Sequence, residues 1–313
     1  MNLICFCGEV VSDLVEFNEN SGDFKLLLGG SQFHGAMGAS RLNQTQNLNL
    51  DIAFVGPLSS DNFGDRFMVA MKDNKLNTDF ICRVDRNTTL AVASIRPGRE
   101  NAFSFYGRDT AEQMTKPEEL PSNLPSPGTI CVFGSISTVL EPARFTWLGF
   151  AKQQKQAGNL CMYDLNTRPS IIKSKEKYRD QVREWASVAN VVKASDADIG
   201  WTYPDFTKEQ VAAEWLSAGA NIAVITMGSS GSFIATKNAS AKVSGDELNC
   251  PNTIGAGDNF NAGLATILRV RNIKTAEDIA QLQSKDLQEL LIFANNSAAQ
   301  HLIRNGASLK KVA

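Results

Sequence analysis

Short apolar runs alternate with longer stretches of helical period along almost the whole chain. No other feature constrains the fold as strongly. The runs are Leu3–Cys7, Ile52–Gly56, Ile130–Gly134, Leu160–Asp164, Val191–Lys193 and Ile222–Met227. Between them lie amphipathic segments near 35–42, 63–75, 142–157, 176–188 and 208–218, and two more follow near 258–270 and 286–302. Strands apolar on both faces, each followed by a helix, predict a mostly parallel sheet covered on both sides. Ligands in such sheets bind beyond the carboxyl ends of the strands. A chain of 313 residues buries about three quarters of its extended surface, so the core needs neither disulfide nor metal.

Two segments break the rhythm. Residues 10–28 and 89–106 read as extended, with polar and apolar positions mixed and a Pro97-Gly98 turn in the second. They are either edge strands of the main sheet or a small separate β-layer, a lid over the strand-end crevice. The expected organisation takes the second form. Residues 1–9, 29–88 and 107–313 make an α/β core, and residues 10–28 and 89–106 make the lid. Four prolines between Pro117 and Pro127 mark a loop returning from lid to core.

Charge and rare residues exclude several classes. Lys plus Arg is 31 against 33 for Asp plus Glu, a net charge of -2 without long runs of one sign. That argues against a protein built to grip nucleic acid or an anionic membrane. No stretch reaches the roughly 18 apolar residues of a membrane helix. Glu9 and Asp13 interrupt the first apolar stretch, unlike a signal peptide, so a cytoplasmic location is expected. The six cysteines form no CxxC pair and read as free thiols in a reducing compartment, Cys5 and Cys7 on one strand face. With only His34 and His301, a zinc site of several histidines is excluded and a Ser-His-Asp triad disfavoured.

The chemistry concentrates at 252–263, NTIGAGDNFNAG. Phe260, Leu264, Ile267 and Leu268 recur at helical spacing, so a helix starts near Asp258. Gly255 and Gly257 allow tight turns, and their N–H groups with those of the first helical turn form an anion site. Asp258 reads either as the helix N-cap or as a reacting carboxylate. Gly228-Ser229-Ser230-Gly231 is equally a phosphate cradle or a β-turn. Gly29-Gly30 opens a further helix and lets backbone approach a ligand closely. Neither a Walker A pattern nor GxGxxG is present, which argues against a dehydrogenase.

In the order and spacing of these blocks the chain resembles the ribokinase-like (PfkB-type) carbohydrate kinase family over nearly its whole length. The blocks are the Gly29-Gly30 helix opening, VGxxSxDxFG at 55–64, Asp164–Pro169, Val192–Asp198, Thr226–Gly231, TxGAGDxFxAG at 253–263, and Gly306-Ala307. Within the family it is most similar to bacterial fructokinases, through Phe105–Ala111, Glu141-Pro142 and the DxNxRP block. The resemblance implies a three-layer α/β/α fold with a β-lid, and transfer of the γ-phosphoryl group of ATP to a sugar hydroxyl with magnesium. It makes Asp258 the base, the Gly255, Ala256 and Gly257 amides the anion hole, and Arg168 a γ-phosphate clamp. A helix N-terminus is a poor setting for a strong base, but a loose transition state lets the proton leave late.

Asp13, Gly29, Gly30, His34, Arg108 and Asn166 fall where the family contacts sugar. Lys193, Ser195, Thr226, Gly228, Gly231 and Asn295 fall at the nucleotide. Asp198 would organise magnesium through water. Three positions depart from the family pattern: His34 for Asn, Asn252 for Asp and Asp198 for Glu. The family's aspartate at 252 helps hold a monovalent cation, so potassium dependence should be weak or lost. Fructose is the leading acceptor. 2-Keto-3-deoxygluconate with Arg108 as cationic partner, a nucleoside, and a non-catalytic sugar or nucleotide sensor stand as alternatives. A homodimer through the lid edges is a further expectation.

Overall fold

The structure, a computed structural model, describes residues 2–16, 22–94, 102–250 and 253–309. The Pro97-Gly98 turn and Asn252 lie outside the described residues. The strands are β1 (Leu3–Cys7), β2 (Val11–Glu16), β3 (Phe24–Gly29), β4 (Asp51–Ser59), β5 (Ile81–Val84), β6 (Leu90–Ser94), β7 (Ala102–Tyr106), β8 (Ile130–Gly134), β9 (Leu160–Asp164), β10 (Val191–Ser195), β11 (Ile222–Thr226), β12 (Ser232–Ala235), β13 (Ser240–Val243), β14 (Leu248–Asn249) and β15 (Ser308–Leu309). The helices are α1 (Ser31–Gln46), α2 (Asn62–Asp73), α3 (Ala143–Gln156), α4 (Lys175–Val188), α5 (Asp196–Thr202), α6 (Lys208–Ala218), α7 (Ala256–Val270), α8 (Ala276–Ala280) and α9 (Ser284–Arg304).

The main sheet runs β13-β12-β11-β10-β9-β8-β1-β4-β5. It is parallel from β11 through β5, and antiparallel at β12 and β13. Strand alternation explains the layers. On β1, Leu3, Cys5 and Cys7 enter one core while Ile4 and Phe6 enter the other. The first core closes under α3, α4 and α6 through Trp147, Trp185 and Trp215. The second closes under α1, α2, α7 and α9 through residues such as Phe33, Phe67, Phe260 and Leu290. Cys5, Cys131 and Cys161 stand in register on adjacent strands as buried free thiols.

The two interrupting segments form their own sheet, ordered β3-β2-β6-β7, rather than edges of the main one. Val11 and Ala91 join Ile136 in a small third core, with Phe105, Leu140 and Ile171 packed against it. The 55–64 block holds the lid root. Asp61 caps α2 by accepting from Gly64 N at 2.8 Å. It also accepts from Thr88 N and Oγ1, both at 2.8 Å, just before β6. Among the described residues no helix is long and apolar enough to cross a membrane.

Candidate active site

β1, β8, β9 and β10 end on one side of the sheet, beneath the lid. A cavity of about 470 Å³ lies there. The strand ends supply Glu9, Ser135, Asp164, Lys193 and Ser195, and the lid supplies Val11, Asp13 and Phe105. Gly30, Ser31 and His34 enter from α1, Asn166 and Arg168 from the loop after β9, and Gly255, Gly257 and Asp258 from the start of α7. A second cavity of about 350 Å³ holds Thr226, Gly228, Gly231, Ala256 and Asn295 against Leu248, Phe260, Ala298 and Leu302. Thr253 and Gly257 line both cavities. The two spaces therefore meet at the start of α7.

The N-terminus of α7 departs from the expected start. Gly255 is the N-cap, at φ 79°, and the helix begins at Ala256. A side chain at Gly255 would be strained, and its Cβ would sit 2.8 Å from His301 Nε2. Asp258 is thus in the first turn and is not the cap. Its Oδ1 accepts from Ser31 Oγ at 2.6 Å. The Ala256 N–H donates to Thr253 O at 3.2 Å. Among the described residues the N–H groups of Gly255 and Gly257 have no partner. Of the three amides expected to form an anion hole, the turn itself uses Ala256, which leaves the N–H groups of Gly255 and Gly257 free to meet an anion. His301 Nε2 braces the loop from behind, 3.0 Å from Ile254 O.

Behind Gly257 stands Lys193, paired to Asp164 Oδ2 at 3.0 Å, with Asn261 donating to the same oxygen at 2.7 Å. Burial pulls the Lys193 ammonium down, but the surrounding charges of Asp164, Asp198 and Asp258 outweigh it, and the lysine stays a cation. Asp198 completes a capping box on α5. Its oxygens accept from Thr167 N, Ser195 N and Ser195 Oγ, each at 2.7 Å. Asp198, expected to organise magnesium through water, thus braces the two loops flanking the site. Gly228–Ser230 is both a turn between β11 and β12 and part of a cavity wall, so its two readings are compatible.

Asp13 faces the first cavity. Burial raises its carboxyl to about 6, partly offset by Arg168. A Cβ at Gly29 would collide with that carboxylate. Burial holds His34 below its ordinary pKa despite Asp258, so its imidazole is neutral at pH 7, a donor on one nitrogen and an acceptor on the other. Arg108 is exposed and lines neither cavity, because it follows β7 at the outer end of the lid. Glu9, Ser31 and Ser135 line the site without having been assigned a role, and Phe105 and Asp164, which open two of the resemblance blocks, line it as well. Of the first three, Ser31 carried a local signal, as the residue following Gly29-Gly30.

The residues fit a nucleotide: an apolar slot beside a glycine turn ends at two unpaired N–H groups and a lysine. They do not make a metal cage, since no group of three or more His, Cys, Asp or Glu among the described residues could hold an ion. Magnesium fits only as a companion of the nucleotide phosphates, keeping most of its waters.

Two acids are buried here, Glu9 in the cavity wall and Glu112 against Thr89 just before β6. Glu9 is 1% exposed and Glu112 is 2% exposed. Burial raises each to about 7, against hydrogen bonds from Ser137 and Ser135 to Glu9 and from Thr89 to Glu112. In the unfolded chain both ionise near 4.5. Their contribution is therefore complete below pH 4.5, falls as pH rises towards 7, and levels off above it. The loss is on the order of 3 kcal/mol for each acid. Urea midpoints of the wild type should fall more between pH 5 and 8 than those of Glu9→Gln/Glu112→Gln. Equal falls would show that the two acids do not titrate this way.

The chain is similar to known proteins in sequence and in fold. Residues 1–312 match the model of the pfkB family carbohydrate kinases. A fructokinase of Rhizobium leguminosarum bv. trifolii is 27% identical over 91% of this chain and 86% of its own. A probable fructokinase-7 of Arabidopsis thaliana is 30% identical over 97% and 88%. The crystal structure of the Vibrio cholerae O395 fructokinase in apo form superposes with a TM-score of 0.82 at 23% identity, covering 98% of this chain and all of that one. Its form with fructose, ADP and calcium ion gives 0.80 at 22% identity, over 96% and 93%. A family match over almost the full length, on a fold with two cavities that adjoin at the start of α7, makes this chain a member of the pfkB carbohydrate kinase family.

Proposed function

We propose that this sugar kinase transfers the γ-phosphoryl group of ATP to a hydroxyl of fructose, with Asp258 as proton acceptor. One observation carries the reading: the two cavities share Thr253 and Gly257, and Asp258 stands on the acceptor side of that junction. ATP lies in the 350 Å³ slot with its terminal phosphate at the junction, facing the N–H groups of Gly257 and, on the side of the larger cavity, Gly255. Those groups and Lys193 stabilise the charge that develops on the transferred oxygens. The sugar lies in the 470 Å³ cavity, where Asp13, neutral His34 and Asn166 hydrogen-bond its hydroxyls. Arg168 reaches the γ-phosphate from the sugar side.

The reacting hydroxyl attacks phosphorus in line as the bond to ADP breaks, and Asp258 takes the proton late. When bound with ATP, magnesium neutralises the phosphates, and Asp198 reaches it only through water. The lid excludes water that would otherwise accept the phosphoryl group.

The relatives named fructokinases support fructose. Arg108 lies outside the lining, which weighs against an acidic acceptor such as 2-keto-3-deoxygluconate. Phe105, Val11 and Ile136 form an apolar wall that favours a nucleoside as the second reading. ADP release from MgATP decides, measured against fructose, other ketoses, 2-keto-3-deoxygluconate and nucleosides. Fructose is expected to give the highest kcat/KM. A nucleoside in first place would overturn the acceptor, and no turnover with saturable binding would favour the sensor.

A further inference from the structure

We propose that Ser31 is a positioning residue that fixes Asp258 for proton transfer, at the end of a hydrogen-bond relay running from Arg168 through Asn166. The proposal rests on the reading of Asp258 as proton acceptor. Ser31 is the first residue of α1 and is 8% exposed. Its Oγ donates to Asp258 Oδ1 at 2.6 Å and accepts from Asn166 Nδ2 at 2.9 Å. Asn166 Oδ1 in turn accepts from Arg168 Nη1 at 2.6 Å.

The direction of each link is forced. Arg168 can only donate, so the Asn166 oxygen must face it and the amide nitrogen must face Ser31. That nitrogen is a donor, so the single hydroxyl proton of Ser31 has one acceptor left, the Asp258 carboxylate. A cation at the head and an anion at the tail polarise every bond between them in the same sense. Asn166 sits at φ 41°, a left-handed conformation that Asn tolerates better than most residues.

A carboxylate torsion is broad and roughly two-fold, so an untethered Asp258 samples many orientations. With Oδ1 tied to Ser31, Oδ2 is left for the hydroxyl of the acceptor. A serine opening a helix also has a plain structural use, and the test must separate the two roles.

The experiment follows phosphorylation of fructose by MgATP, in steady state and single turnover, for wild type, Ser31→Ala, Ser31→Thr, Asp258→Asn and the Ser31→Ala/Asp258→Asn double variant. Ser31→Ala should lower kcat roughly ten- to hundredfold, the cost of a misplaced reacting group, with both KM values little changed. Ser31→Thr should restore most of the rate. In the Asp258→Asn background Ser31→Ala should have no further effect, because the serine acts through the carboxylate. If Ser31→Ala does not fold, Ser31→Cys, a weak donor of similar size, must show the same fall in kcat. An unchanged kcat, or two losses that multiply, would overturn the relay while leaving the kinase reading intact. A wild type that phosphorylates no sugar would overturn both.

Discussion

Asp258→Asn should lower sugar phosphorylation by about 10²–10⁴-fold, the usual value of a general base. The amide keeps the shape of the carboxylate and can still accept from Ser31 through Oδ1, so the cavity is preserved. What it loses is the ability to take a proton. The ATP KM should hardly move, because the second cavity is lined by Ala256 and Gly257 and not by Asp258. Single-turnover ADP formation is the measurement. A variant retaining activity within about tenfold of wild type would show that Asp258 is not the base. Proton loss would then be late enough to need none, and the catalytic weight would rest on the Gly255 and Gly257 N–H groups.

Lys193→Met should be the most damaging single change to stability among the cavity residues. Lys193 is 4% exposed and Asp164 is 2% exposed. Without the ammonium, Asp164 keeps only the Asn261 amide on Oδ2, and its Oδ1 is already unpaired. Removing one partner of a buried pair costs about 3–5 kcal/mol. For a chain of this size that is a fall of about 5–8 °C in Tm. Burial already raises the Asp164 carboxyl. Without its cation the acid is relieved by protonation, so the loss should be smaller at pH 5 than at pH 8. Lys193→Met/Asp164→Asn should recover part of the stability. A Tm unchanged in Lys193→Met would mean that water reaches Asp164 and the pair contributes little.

The large features were legible because they are local. Apolar runs of period two and helical stretches of period 3.6 reveal strands and helices residue by residue. Six of the seven parallel strands of the main sheet and the seven longest helices accordingly fall where the pattern put them, within a few residues. β12 and β13 were not marked, because SFIA and SAKV are short and flanked by polar turns. The five-residue α8 and seven-residue α5 hold too few apolar positions to show a period. Asp258 offers two local readings, N-cap and reacting carboxylate. The N-cap reading fails because Gly255, three residues earlier, takes that position in the left-handed conformation.

By itself the sequence determined the alternating architecture, the two segments that interrupt it, and the glycine-rich helix start with its carboxylate. Each depends on neighbours within about one or two turns of chain. Only the tertiary structure decided which groups meet. Ser31 reaches Asp258 across 227 positions, and Asn166 reaches Ser31 across 135. Glu9 and Glu112 become two buried acids that feel each other's charge, and Ala256 ties its N–H to Thr253 O. Such pairings depend on strand order, on where the lid folds back, and on the hand of one glycine turn. No local spacing encodes them, because the free energy that selects them belongs to the assembled core.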